Sequence, residues 1–434
     1  MSQRVLVIGG GGREHAIVAN LAADARCTVV NAARNHNPAI IELVDAHAAV
    51  DETDPAAICE AAAAWGVDAA IVGPERALAA GVVDALTADG VFCFGPTAAL
   101  ARIETDKTYQ RRLMADAGIP GCPTFESFTD PDAAAAYLET VEAPMVIKPA
   151  GLTGGKGVLV IGEHLTHTEA VAHLRETAYE AVVLEERLIG EEFTLQAFVA
   201  NGSVVHTPLV QDHKRAFRGD RGPNTGGMGA YSMADGRLPF VREDDYAAAV
   251  EILDRTVAAL PGYTGILYGQ FMATASGVFV IEFNARFGDP EAMNVLSVMQ
   301  TSLWDLIAAA AAGERLPQPT FAPQATVVRY LVPAGYPADP TDGVTVDIGA
   351  LAGAVSHLYV ASVDAVDASR VRTTTSRAVA VVGVGRDLEA AAAAASFDPA
   401  LVATDGLRYR DDIGTPEAVQ ARQTRMEELR ADDG

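Results

Sequence analysis

The chain is poor in lysine. Of its 434 residues, 32 are Lys or Arg, and only four of those are lysine: Lys107, Lys148, Lys156 and Lys214. Asp and Glu number 57, so the net charge is −25 at pH 7. A surface of that sign repels nucleic acid, which is not expected as a partner. The acids are spread through most segments instead of forming one tail, a pattern that suits high salt, where screening relieves self-repulsion. Cysteine is sparse too. Cys27, Cys59, Cys93 and Cys122 are scattered with no Cys-x-x-Cys pair, which argues against thiolate metal sites and disulfide frameworks and fits a reducing cytoplasm. No apolar run is long enough to cross a bilayer, so no membrane role is expected. Met1 to Ile8 lacks a basic start and a cleavage site, and it reads as a first β-strand.

The four lysines carry information because Arg serves wherever either cation will do. A position that keeps Lys needs a compact, flexible point charge, as a phosphate site does. All four stand beside glycine-rich or polar motifs.

Along the first hundred residues, strand-like runs at Val5–Ile8, Val29–Asn31, Ala69–Val72 and Val91–Phe94 alternate with alanine-rich helical stretches. That is the pattern of a doubly wound α/β domain with a mostly parallel sheet. A helix follows Thr105, with Asp106 in its first turn, and ends near Asp116. A small αβ unit spans Val146 to Leu188, and Pro317 to Pro323 reads as a linker. Beyond it, Val344–Ile348, Leu358–Val363 and Arg377–Val384 read as strands and Leu388–Ala395 as a helix.

Four motifs carry chemistry. Gly9-Gly10-Gly11-Gly12-Arg13-Glu14-His15 follows a strand and opens a helix, the place for a bound anion. It is not a dinucleotide fingerprint, because Glu14 occupies the third glycine position. A nicotinamide oxidoreductase is thereby disfavoured, and it would leave the lysine loop unexplained. That loop, Lys148-Pro149-Ala150-Gly151-Leu152-Thr153-Gly154-Gly155-Lys156-Gly157, is not a Walker loop, since Gly157 follows the lysine. Two ammonium groups and exposed backbone N–H groups suit a triphosphate. Glu185, Glu186, Glu191 and Glu192 follow on an apolar strand and suggest a hinge for adenine and ribose.

The hairpin Thr264–Asn284 allows a geometric inference. A three-residue turn, Ala275-Ser276-Gly277, pairs Thr274 with Val278 and so sets Gln270 opposite Glu282. Cross-strand Cβ atoms are roughly 5 Å apart. Asn284 shares the Glu282 face, and the three form a set of hard oxygen ligands for Mg²⁺ shared with phosphates. Arg286 lies near that face and would neutralise a transferring phosphoryl group. Last, Gln211-Asp212-His213-Lys214-Arg215 and Asn224-Thr225-Gly226-Gly227-Met228-Gly229 frame a long loop read as a lid that orders on anionic substrate, with His213 in a positioning role.

These residues resemble the phosphoribosylamine–glycine ligase family of the ATP-grasp superfamily. The similarity is carried by Gly11-Gly12-Arg13-Glu14-His15, Ile71-Val72-Gly73-Pro74-Glu75, Phe94-Gly95-Pro96-Thr97, Gly154-Gly155-Lys156-Gly157, Gln211-Asp212-His213-Lys214-Arg215, Gly222 to Tyr231, Ile281-Glu282-Phe283-Asn284 and Arg286-Phe287-Gly288-Asp289-Pro290-Glu291. The resemblance implies an N-terminal doubly wound parallel sheet, a two-part ATP-grasp unit with a mobile lid, and a small C-terminal domain, an α/β and α+β multidomain chain. The expected spans are 1–103 for the first domain, 104–122 with 192–322 for the core, 123–191 for the lid and 323–434 for the last.

It also implies a reaction that joins glycine to 5-phosphoribosylamine at the expense of ATP, with Mg²⁺ or Mn²⁺, in a monomer or small homo-oligomer. By the same resemblance Lys107, Lys148 and Lys156 hold ATP phosphates, and Glu185, Glu186 and Glu192 lie near adenine and ribose. Glu282 and Asn284 bind the metal, joined by Gln270 on the hairpin register alone, and Arg286, Asp212 and Lys214 are catalytic. Gly11, Gly12, Arg13, Glu14, His213, Asn224, Thr225, Gly226, Gly227, Asp289 and Pro290 contact the other substrates. The chain departs from the family pattern at Thr105-Asp106, Ala33-Arg34-Asn35, Ala150 and Gln270, and the C-terminal third matches weakly through Gly335-Tyr336-Pro337 and Asp412-Ile413-Gly414.

Overall fold

The computed structural model describes residues 2–152, 157–396 and 406–432. Five strands, β1 (Gln3–Ile8), β2 (Cys27–Ala33), β3 (Ala46–Ala49), β4 (Ala69–Val72) and β5 (Phe92–Phe94), form a parallel sheet in the order β3-β2-β1-β4-β5. Helices cover both faces, so Val5–Ile8 of β1 and the whole of β4 are continuous apolar runs without alternation. The strand order reverses between β1 and β4, which opens a crevice outside their carboxyl ends. Gly9 to Gly12 and Gly73 to Glu75 meet in that crevice, and α1 (Gly12–Ala22) starts there.

A second layer is small and self-contained. β6 (Phe125–Phe128), β7 (Met145–Pro149), β8 (Leu159–Val160) and β9 (Val182–Glu186) form a sheet in the order β6-β9-β7-β8. Ala134, Leu138, Ile147, Leu174 and Leu184 build its own hydrophobic cluster, separate from the main core. A unit with a private core is able to move as one body against its neighbours.

The main body holds β10 (Gly190–Ala200) and β11 (Ser203–His206), then the short strands β12 (Gln211–Asp212), β13 (Arg215–Phe217), β14 (Arg221–Asn224) and β15 (Gly229–Ser232). The hairpin β16 (Gly265–Thr274) and β17 (Val278–Asn284) completes an antiparallel sheet in the order β11-β10-β16-β17. β18 (Ala325–Pro333) pairs with β15 on one side and with the strand Val379–Gly385 on the other. One sheet therefore runs through position 323, which the sequence reading set as a domain boundary. Pairing between chain segments about a hundred residues apart leaves no local signal. The helix Pro416–Asp432 is likewise absent from the sequence reading.

Candidate active site

The hairpin places Gln270 opposite Glu282, as expected, but by another route. Thr274 pairs with Gly277, and its N–H donates to the Gly277 carbonyl, so the loop is only Ala275-Ser276. Val278 therefore faces Ala273, one residue off the expected register. A bulge beside Gln270 and Phe271 restores the pairing, with Ile281 as the extra residue. The freed Ile281 carbonyl accepts from Arg111 Nη2 at 2.8 Å and from Lys148 Nζ at 3.1 Å. The bulge thus turns a ladder acceptor toward two cations.

Glu282 carries the electrostatic centre of this floor. Burial acts to raise its carboxyl, but the field of Lys214, Lys107, Lys148 and Arg286 outweighs that and holds it below the usual range. Asn284 is buried on the same face, and its Oδ1 accepts from Arg286 Nη2 at 3.4 Å. One ionised and one neutral oxygen ligand fit a hard cation that completes its shell with phosphate and water. Among the described residues no group of three or more His, Cys, Asp and Glu is arranged to hold a metal ion, so an all-protein cage is not the pattern here.

Gln270 does not join that ligand pair. Its side chain is fully buried, and its Nε2 donates to Glu192 at 2.6 Å and to Asp212 at 3.2 Å. Its Oε1 accepts from the Tyr268 hydroxyl at 2.9 Å. Both amide protons and one oxygen lone pair are thus engaged by protein groups, so Gln270 organises two carboxylates. Tyr268 also lies 2.8 Å from Glu291. Burial raises the Glu291 carboxyl above its usual range.

The Asp212-His213-Lys214 motif starts at the end of β12, and its side chains go to two sides. Asp212 and Lys214 share the floor: Lys214 Nζ stands 3.5 Å from Glu192 and 4.0 Å from Asp212. Burial raises Asp212 to about 7, with Glu291, Glu192 and Glu282 adding to the shift and Lys214 opposing it. His213 points the other way, against Tyr231, Asp220 and Arg422, so its expected contact with substrate is corrected. Burial and the nearby Arg422 lower its pKa to about 4, leaving it neutral.

The lysines fall as follows. Lys107 begins the helix Lys107–Asp116, capped by Asp106, and its Nζ donates to the Gly151 carbonyl at 3.1 Å across to the lid. Lys148 is buried on β7, and burial lowers its pKa against the opposing pull of Glu185. Lys156 lies outside the described residues. Glu185 is buried with both oxygens engaged, by Arg111 at 2.7 and 2.9 Å and by Lys148 at 2.7 Å. It anchors Lys148 and has no oxygen left for adenine or ribose. Glu186 accepts from the Thr124 N–H at the edge of the lid, and Glu192 joins Lys214 and Gln270 on the floor.

The glycine-rich turn is closed by its own acid. Glu14 accepts from the Gly11 N–H at 2.7 Å and from Arg13 Nε at 2.6 Å. Arg13 Nη1 also donates to the Phe287 carbonyl, which ties the N-terminal crevice to the Arg286–Glu291 segment. Gly12 lies beneath Tyr330 and Met293. Arg286 reaches Glu104 at 2.8 Å and Glu75 at 3.5 Å, so cation and crevice form one charged network. Burial pushes Glu104 up to about 7 despite Arg286.

The long polar loop is not free to order on substrate alone. Arg377 donates to the carbonyls of Gly226, Gly227 and Asp289 and to the Asp289 carboxylate at 2.9 Å. Tyr330 takes the other Asp289 oxygen at 2.7 Å. Gly227 has φ +109°, and a side chain there would press on Pro290 at 2.8 Å. Thr225 bonds back to the Lys214 carbonyl, and Asn224 pairs with Arg215. Asp289, Pro290, Gly226 and Gly227 are thus held by protein contacts. Sequence reasoning missed Arg111, Glu104, Tyr268, Arg377 and Arg422. Arg111 had a faint signal, four residues after Lys107 on one helix face; Arg377 had none.

Comparison with known proteins bears on this geometry. The chain matches the phosphoribosylglycinamide synthetase N domain over residues 3–104, the ATP-grasp (A) domain over 105–292 and the C domain over 326–416. It is 44% identical to phosphoribosylamine–glycine ligase of Methanopyrus kandleri, over 99% of this chain and 100% of the relative. The same-named protein of Methanoregula boonei is 46% identical over 98% of this chain and 100% of its own. Among solved structures, the phosphoribosylamine–glycine ligase of Thermotoga maritima superposes with a TM-score of 0.78 at 25% identity, covering 94% of this chain and 100% of that one. Biotin carboxylase of Campylobacter jejuni, at 13% identity and TM-score 0.71 over 98% and 95% of the two chains, shares the fold alone. With all three domain matches in chain order and full-length relatives above 40% identity, the chain belongs to the phosphoribosylglycinamide synthetase family.

Proposed function

We propose that the charged floor around Glu282 carries the phosphoribosylamine–glycine ligase reaction. One observation supports this above others: cations from separate segments gather around Glu282, with Lys148 on the carbonyl of Ile281 beside it, Arg286 on Asn284 of the same face, and Lys214 on Glu192, which Gln270 opposite Glu282 also binds. Cations gathered around an ionised acid suit a polyanionic nucleotide bound through a divalent metal. Full-length relatives of this name support the same reaction. The γ-phosphoryl of ATP passes to a carboxylate oxygen of glycine, giving glycyl phosphate and ADP. The amine of 5-phosphoribosylamine then attacks the glycyl carbonyl carbon, phosphate leaves with the C–O bonding electrons, and the amine gives up a proton. Glycinamide ribonucleotide results, in purine biosynthesis.

In this reading Lys107, Lys148 and Lys156 hold ATP phosphates. Glu282 and Asn284 would hold Mg²⁺ or Mn²⁺, which when bound withdraws charge from the phosphoryl oxygens. Arg286, fixed by Glu104 and Glu75, faces the acyl phosphate. Lys214 orients the carboxylate of glycine, and Asp212 beside it receives the amine proton. Arg13 and the Gly12 N–H at the start of α1 bind the ribose phosphate, while Glu14 holds the Gly11 N–H. The chemistry is mainly positioning and charge neutralisation. Scattered, unpaired cysteines support a cytoplasmic setting, and a monomer or small homo-oligomer is the assembly we infer. Release of ADP is the test: it should require glycine and phosphoribosylamine together. ADP formation that proceeds equally without glycine would sink the reading.

A further inference from the structure

The family C domain ends at residue 416, where the helix Pro416–Asp432 begins. One stripe of this helix carries Val419, Arg422, Met426 and Arg430 at helical spacing. Val419 and Met426 are its only buried residues, so ion pairs supply much of its attachment. Arg430 binds Asp245 and the Phe240 carbonyl. Arg422 reaches further: Nη1 pairs with Glu191, while Nη2 pairs with Asp220 and lies 3.2 Å from His213 Nδ1. Arg425 takes the second oxygen of Glu191 at 2.9 Å.

Alternation gives these contacts their meaning. Glu191 and Glu192 are neighbours on β10, and His213 lies between Asp212 and Lys214. Successive side chains point to opposite faces. Glu192, Asp212 and Lys214 stand on the floor with Glu282, whereas Glu191 and His213 are the buried neighbours on the reverse. A single guanidinium therefore grips the back of β10 and of the segment that follows β12, whose fronts form the floor. Its planar fork spans three partners, which a single ammonium does not match.

We propose that Arg422 is a positioning residue for the ligase reaction, fixing Glu191 and His213 from behind and through them the placement of Glu192, Asp212 and Lys214. This rests on the floor being the site. The test compares Arg422→Ala and Arg422→Lys with the wild type, and counts folded sites by calorimetric binding of a non-hydrolysable ATP analogue with Mg²⁺. In Arg422→Ala the analogue should bind near one per chain with Kd within about twofold of wild type, while kcat per analogue-binding site falls roughly tenfold or more. Arg422→Lys, which keeps a cation opposite Glu191 and guards against a folding failure, should recover part of that loss. A wild-type kcat per binding site in Arg422→Ala overturns the proposal, as does a loss that merely follows the number of binding sites. Lys214→Ala, run alongside, separates the two readings. If it keeps full turnover, the floor itself is misassigned; if it is inactive while both Arg422 variants match wild type per site, only the positioning role fails.

Discussion

Lys148 Nζ sits 2.7 Å from one oxygen of Glu185, and Arg111 holds both oxygens of the same carboxylate. The three groups are buried, and Lys148 and Arg111 both reach the carbonyl that the β17 bulge exposes. Burial alone would raise Glu185, yet the two cations hold it at about 2. Glu185→Gln leaves those cations uncompensated and should cost about 3–5 kcal/mol at neutral pH. The folded pKa is below the unfolded one, so the ion-pair stabilisation is full above about 4.5 and is lost as pH falls toward 2. Urea midpoints at pH 7 and pH 3 should therefore show the wild-type advantage shrinking. An advantage that stays constant would remove the ion pair as its cause.

Glu282→Ala should lower kcat by at least roughly a hundredfold, the scale of removing a preorganised charge from a dry site. Rising Mg²⁺ or Mn²⁺ should restore part of the activity if the residue is a ligand. Steady-state turnover across a metal titration checks this, and full activity in the variant would remove the metal assignment.

Lys214 stands between Glu192 and Asp212 as a point charge. Lys214→Arg keeps the charge but replaces it with a wide planar fork, and should reduce kcat about tenfold. An unaltered kcat would show that geometry at this position is immaterial.

At Gly73 a Cβ would lie 1.9 Å from Glu14 Oε1. Gly73→Ala should destabilise the N-terminal crevice by about 1–3 kcal/mol. Shortening the neighbour in Gly73→Ala/Glu14→Ala should make the two effects less than additive. Thermal melts of the single and double variants decide it; strict additivity would count against this contact.

The net charge of −25 predicts a stability that rises with added salt. Screening contracts from about 10 Å at 0.1 M to about 3 Å at 1 M. Melting temperature in increasing KCl should climb, and a flat or falling trend would contradict the reading of the acidic surface.

Local pattern made much of this molecule legible. Apolar strands followed by glycine turns marked the parallel sheet, and three of the scarce lysines marked segments whose charges act on Glu282. Period-two alternation placed Glu282 and Asn284 together. The expected pairing of Gln270 with Glu282 also stands, although its premise of a three-residue turn does not. Thr274 closes a shorter loop through its own hydrogen bonds, and one bulged residue compensates. Turn chemistry and bulges depend on which carbonyls find partners elsewhere, and those partners lie on Arg111 and Lys148.

The sequence by itself determined the residue types that face one another across each strand, because side-chain period is a property of the backbone. It also determined the family and the set of charged groups a ligation needs. Tertiary structure alone decided which of those groups remain open and which are held. Glu185 is closed by Arg111, Asp289 by Arg377 and Tyr330, and His213 by Arg422. Each of those contacts joins segments far apart in the chain, where burial makes a missing partner costly and no local pattern records where it will come from.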